Sequence, residues 1–247
     1  MTLKTKTIKP VLKSTKPYAK KFLKQSRCLL TISVGQEVHE SDKFAATIEL
    51  VNDNFASCVV LIDDTLQRYS MSLQRKEHPD SFYEKSLKEG DCWLDRNQHY
   101  LDKLTIPTEL IRWDKWLNHS HYRQQHECLH QLVKSDLTYK MAFEETIRDF
   151  LHRFYSRLPD QNLSYLNKDQ VLCQEYLLEE CTALCLWVEL NCQFEVYPSK
   201  RNSAMSATHK RFVLSNHPDL LHTLSIKFKN RKQLKAQCFS SLKEEVT

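Results

Sequence analysis

The sequence predicts an α/β fold with a central, mostly parallel sheet flanked by helices, and three observations carry that reading. Cys28-Leu29-Leu30-Thr31-Ile32 is an apolar run of strand length that ends at the turn Ser33-Val34-Gly35. A second run, Cys58-Val59-Val60-Leu61-Ile62-Asp63, is continuously apolar up to its last residue, as a parallel strand covered on both faces requires. Helical periodicities then alternate with short strands, the pattern of a single Rossmann-like domain. Composition shifts divide the chain into a basic arm over 1–26, the Rossmann-like body over 27–228 and a basic tail over 229–247.

Taken in order, residues 1–26 alternate Lys with Thr, Ile, Val, Leu and Pro and read as a mobile arm with some extended tendency. After the first strand, Ser41 is placed to cap a helix through Phe44, Ala45, Ile48 and Leu50. After the second, residues 65–105 read as helical pieces broken near His78-Pro79 and Gly90-Asp91. Ile106-Pro107 is extended, and Thr108 to Leu117 opens an aromatic-rich helix with Trp113 and Trp116. A 3.6-residue pattern runs from His119 to Leu158 through Leu129, Leu132, Val133, Leu137, Met141, Phe143, Ile147, Phe150, Leu151 and Phe154, and Pro159 stops it. Asn167, with Gln170 three residues on, starts a helix that runs to about Leu190 and is apolar on most sides after Cys181. Phe194 to Tyr197 is a strand ended by Pro198, and Phe212-Val213-Leu214 and Leu224-Ser225-Ile226 read as late strands.

At 41% hydrophobic and 10% aromatic residues the chain can fill a core. No apolar run reaches the roughly 18 residues of a membrane span. The Lys-rich start lacks the apolar segment and cleavage site of a secretory signal. Nine cysteines without CxxC spacing point to a reducing compartment, the cytoplasm by default. Charge is uneven. Residues 1–28 hold eight Lys and Arg27 with no acid (+9), residues 200–247 hold ten basic residues against three acids (+7), and the rest carries 17 basic against 28 acidic residues (−11). Basic ends on an acidic body suit a polyanion such as nucleic acid, or else are solvated tails.

Only two glycines occur, Gly35 and Gly90, so P-loop and dinucleotide-binding motifs are excluded. A chain this poor in glycine places one where φ is positive or a ligand comes close. Ser33 beside such a turn, at the carboxyl end of a strand, stands where open α/β sheets put their chemistry. Tyr176 and Glu180 lie four apart on one helical face, and Glu179 points about 100° away. A carboxylate in so apolar a helix needs a cation, either a substrate ammonium or a structural Lys or Arg. Tyr197 ends a strand on the same side of the sheet as Ser33, with Glu195 pointing the same way. The rival is His126-Glu127-Cys128-Leu129-His130, a literal H-E-x-x-H. No G-x-x-H follows it, and Glu144 and Glu145 come too soon to be a third ligand on a separate helix. No G-x-S-x-G elbow surrounds Ser33.

Together, the Ser33-Val34-Gly35 turn, the Val59–Asp63 strand, the Tyr176-x-x-x-Glu180 helix and Tyr197 resemble the tRNA-dependent cyclodipeptide synthases, over roughly 27–214. Pro198 after the tyrosine, and Gln36 in place of an asparagine, resemble the Tyr-Pro subfamily. The resemblance implies a fold like the catalytic domain of class I tyrosyl- and tryptophanyl-tRNA synthetases, without ATP-binding motifs, acting on amino acids already esterified to tRNA with no cofactor and no metal. It implies that Ser33 takes the aminoacyl group from a first aminoacyl-tRNA. A second supplies the attacking amine, giving a dipeptidyl enzyme that cyclises to a diketopiperazine. Tyr176 and Glu180 would hold the ammonium and Tyr197 would relay protons. Gly35, Gln36, Leu29, Thr31, Val60 and Glu195 would meet the substrate, and the enzyme would act as a monomer. In one respect the chain departs from many members: residues 70–100 are not strongly basic, so tRNA docking is expected on Lys9, Lys13, Lys16, Lys20, Lys21 and Lys24 of the arm. The alternatives are a zinc peptidase through His126 and His130, and a non-catalytic RNA-binding protein.

Overall fold

Strands form where the apolar runs lie, and the alternation of their side chains decides what each face of the sheet meets. The structure, a computed structural model, describes residues 8–13, 20–156 and 166–230. Its elements are β1 (Ile8–Lys13), α1 (Lys20–Leu23), β2 (Arg27–Ser33), α2 (Ser41–Asn54), β3 (Ser57–Asp63), α3 (Arg68–Arg75), α4 (Tyr83–Leu101), β4 (Thr108–Arg112), α5 (Asp114–Leu117), α6 (Tyr122–Ser135), α7 (Leu137–Tyr155), α8 (Leu166–Leu186), β5 (Phe194–Tyr197), α9 (Ser203–Thr208) and β6 (His222–Asn230). The six strands form one sheet in the order β1-β6-β5-β2-β3-β4. Every pairing is parallel except β1 with β6. The result is the expected α/β domain, with β2 at the centre and Ser33 at its carboxyl end.

Two cores result. Leu29, Val59 and Leu61 pack on one face with Trp113, Trp116 and the helices α6 to α8. Leu30, Ile32, Val60 and Ile62 pack on the other with Phe44 and Ile48 of α2 and Trp93 of α4. Burial on both sides is why β2 and β3 read as unbroken apolar runs.

Several elements differ from the sequence reading, each for a local physical reason. Part of the segment read as an arm is built into the sheet: Ile8–Lys13 pairs with β6, with Leu12 opposite Ile226. Gly90 does not break α4. A Cβ there would stand 2.7 Å from Asp64 Cβ and 2.8 Å from Arg112 Nη2, so the glycine lets the helix close on the ends of β3 and β4. Thr108–Arg112 is an edge strand rather than a helix start, and the helix is only the turn Asp114–Leu117. The long periodic stretch is two helices parted at Asp136, whose carboxylate accepts from the Tyr139 N–H at 3.1 Å as an N-cap. Ser41 starts α2 at φ +53 with no side-chain cap at that end. Asn167 falls inside the first turn of α8, and Phe212–Leu214 lie in a π-helical turn, His209–Leu214, rather than a strand. Lys16, Pro159 and the tail beyond Asn230 lie outside the described residues.

Candidate active site

Adjacent parallel strands β2 and β5 bring their carboxyl ends together, and there the Ser33 Oγ and Tyr197 Oη stand 3.1 Å apart. The turn after Ser33 closes with the Gln36 N–H on the Ser33 carbonyl at 3.2 Å. Gly35 sits at φ +83, and a Cβ there would meet nothing within 4 Å. Backbone handedness, not close packing, is therefore what requires glycine.

On the helix side, Tyr176 Oη donates to Glu180 Oε1 at 3.3 Å, one turn along α8. Burial pushes the Glu180 carboxyl up to about 7, and the Tyr176 hydroxyl and Asn202 amide oppose that shift. Its second oxygen, Oε2, is buried with no hydrogen-bond partner among the described residues. Asp63, opposite Ser33 in the β2–β3 register, is also buried, and its Oδ1 is likewise unpartnered among the described residues. Burial drives Asp63 well above the carboxylate range, Glu180, Asp64 and Glu195 add to the rise, and the Ser33 hydroxyl works against it. Burial also raises Tyr197 to about 12. Of these acids Glu195 pairs with buried Arg201 and Asp64 with Arg112 at 2.5 Å. The structural cation considered for Glu180 belongs instead to its neighbour. Glu179 pairs with buried Arg68 and accepts from Trp113 Nε1 at 2.8 Å and Tyr69 Oη at 3.1 Å. Two buried carboxyl oxygens without partners among the described residues thus lie in the same site as the Ser33 and Tyr197 hydroxyls, an arrangement that a cationic or hydrogen-bond-donating group could satisfy.

Leu29 and Thr31 share the face of Ser33 and are buried beneath it. Val60 is corrected: it registers with Leu30 and packs on the opposite face, where α2 and α4 cover it. The β3 residues on the face of Ser33 are Val59, Leu61 and Asp63, as alternation along a strand dictates. Gln36 is exposed beside the turn, and Lys9, Lys13, Lys21 and Lys24 are exposed. Lys20 starts α1. A cavity of about 130 Å³ lined by Tyr69, Leu73, Ile147, Leu172, Tyr176 and Asn202 opens beside the site.

The H-E-x-x-H pair does not assemble a metal site here. Glu127 turns to Arg123 at 3.0 Å and His126 stacks on Tyr122 with ring centroids 5.7 Å apart. Among the described residues no third metal-binding side chain joins His126 and His130. Asp63, Asn202 and His39 were not singled out from sequence. For Asp63 a signal existed, since it closes the strand beside Ser33.

No helix of the described residues is long and apolar enough to cross a membrane. The sequence matches no family model and no curated protein. Among solved structures, a CDPS from Fluoribacter dumoffii aligns with a TM-score of 0.85 at 38% identity, over 90% of this chain and 99% of that one. A cyclodipeptide synthase from Candidatus Glomeribacter gigasporarum, bound to Phe-tRNAPhe, aligns at 0.66 and 14% identity, over 88% of this chain and 90% of that one. A Mycobacterium tuberculosis protein, described as demonstrating that cyclodipeptide synthetases are related to type I tRNA synthetases, aligns at 0.61 and 10% identity, over 91% and 94%. The latter two share the fold. With 38% identity across 90% of its length to the Fluoribacter protein, the chain belongs to the cyclodipeptide synthase family.

Proposed function

We propose that this protein takes aminoacyl groups from two aminoacyl-tRNAs and joins them into a cyclic dipeptide through esters on Ser33. The observation that carries the reading is the Ser33–Tyr197 hydroxyl pair in one site with the Asp63 and Glu180 oxygens that have no partner among the described residues. An aminoacyl ester is already activated, so positioning can replace a catalytic triad. In the first step the Ser33 Oγ–carbonyl bond forms, the bond to the tRNA ribose oxygen breaks, and the Ser33 proton ends on that oxygen. Tyr176 and Glu180 hold the ammonium of the acyl group.

In the second step the roles of amine and ester are the reverse of those expected from the sequence. If the second aminoacyl-tRNA supplied the attacking amine, the dipeptide would leave on tRNA. For it to stay on Ser33, the amine already bound there must lose a proton and attack the second ester, so that the new peptide bond forms, the second ester's bond to its tRNA ribose oxygen breaks, and that oxygen leaves carrying a proton. The terminal amine then attacks the Ser33 ester, the ring closes, and Oγ leaves and regains a proton through Tyr197. Leu29 and Thr31 would floor the acyl pocket, and Pro198 after Tyr197 supports the Tyr-Pro subfamily. Lys9, Lys13, Lys20, Lys21 and Lys24 would meet tRNA phosphate, and Lys16 would extend the same charge along the chain.

Mass spectrometry of the medium from cells overexpressing the protein tests this. The wild-type chain should release a cyclic dipeptide that the Ser33→Ala chain, equally soluble, does not. Equal product from both, or none from the folded wild type, contradicts it.

A further inference from the structure

The ladder between β2 and β5 ends at Leu30 and Val196, three residues before Ser33. The Ser33 backbone N–H goes instead to Nδ1 of His39, at 2.9 Å. The same nitrogen lies 3.2 Å from the Ser33 carbonyl, which is already taken by Gln36. The ring is fully buried and its centroid stands 5.6 Å from that of Tyr197. On its far side the His39 carbonyl accepts from Trp93 Nε1 at 3.1 Å, tying the turn Glu37–His39 to the core under α4. A histidine serving only the core would satisfy both ring nitrogens. Here Nε2 is buried without a partner among the described residues, and the bonded nitrogen is spent on the backbone of the nucleophile. Burial lowers His39 to about 4, which keeps the ring neutral and able to accept the Ser33 N–H.

We propose that His39 is the positioning residue of the nucleophile: through Nδ1 it replaces the partner that Ser33 lacks on the β5 side and holds Oγ toward Tyr197. The proposal rests on Ser33 being the nucleophile. His39 is fully buried, so it acts on the rate of acylation and not on tRNA affinity.

Three variants separate these roles. In His39→Asn the amide oxygen falls near the position of Nδ1, in His39→Gln it falls near Nε2, and His39→Leu offers no acceptor. The full chain is mixed with a tRNA pool charged with radiolabelled amino acids, and label on the protein is followed in a single turnover at several tRNA concentrations. His39→Asn should acylate within roughly threefold of wild type. His39→Gln and His39→Leu should slow on the order of a hundredfold, the cost of misplacing a reacting atom by about 1 Å, with the half-saturating tRNA concentration unchanged. Circular dichroism checks the fold, and if the leucine variant is unfolded the Asn–Gln comparison decides. Wild-type rates in His39→Gln, or equal losses in folded Asn and Gln variants, overturn the role of His39 alone. An unlabelled wild type overturns the Ser33 reading with it.

Discussion

Glu179 and Glu180 are neighbours in sequence with opposite fates, because one step along a helix turns a side chain by about 100°. Glu179 is locked to Arg68, Trp113 and Tyr69, whereas Glu180 meets the Tyr176 hydroxyl and keeps one buried oxygen unpartnered among the described residues. Glu179→Gln should therefore cost stability, about 3 kcal/mol for breaking a buried pair, with little effect on acyl transfer per folded molecule. Glu180→Gln should leave the melting transition nearly unchanged below about pH 4.5, raise it at neutral pH where the wild-type carboxyl resists ionising in the fold, and slow acyl transfer by roughly tenfold to a hundredfold. Thermal melts and single-turnover transfer separate the two, and equal losses of transfer would contradict the assignment. The pH dependence has a definite sign. Burial raises Glu180 from 4.5 unfolded to about 7 folded, so the protonated form is favoured in the fold. Its contribution to stability is complete below about pH 4.5 and is lost as pH rises through about 7. Ammonium binding needs the ionised form, so transfer should rise with pH through about 7 in wild type and lose that limb in Glu180→Gln.

At the scale of elements, Gly90 shows how helix chemistry and packing can oppose each other. Alanine in a helix interior is favoured over glycine by about 1 kcal/mol, but its Cβ at position 90 would press on Asp64 and Arg112. Gly90→Ala should destabilise by about 1–3 kcal/mol in denaturant titration, and a more stable variant would show that α4 has room there. That position read as a break because only a distant strand end explains its glycine. Elements whose cause is local were legible in the sequence: β2 and β3 from continuous apolar runs, β5 from its stop at Pro198, α8 from its apolar stretch. β4 was not, because as an edge strand with Thr108 to Leu110 exposed it lacks an apolar run. The division at Asp136 was not, because apolar spacing continues across it while Leu137 and Met141 face outward, 71% and 59% exposed. The same distinction holds in the site. Ser33, Tyr176, Glu180 and Tyr197 sit in short patterns, but Asp63 enters through register, and Asn202 and His39 enter through turns that sequence spacing does not specify.

For the molecule as a whole, the charge pattern and the sheet edge belong together. β1 carries Lys9 and Lys13 on the outermost strand, three strands from β2 or about 14 Å across the sheet. Deleting the segment would remove a strand along with its charge, so neutralising side chains is the cleaner test of docking. Changing Lys9, Lys13, Lys21 and Lys24 to Gln should make the slope of log K against log salt for tRNA shallower by about 3, with the fold retained. An unchanged slope places the docking surface elsewhere. If the ends of β2 and β5 form an acylation site on Ser33, the enzyme ester itself is the species to look for. Incubation with tRNA carrying a labelled amino acid should leave one base-labile label on Ser33, absent in Ser33→Ala although that variant still binds tRNA, and undiminished by EDTA. Label that persists in Ser33→Ala would place the acyl group on another residue, and label that disappears with EDTA would show a metal-dependent reaction instead.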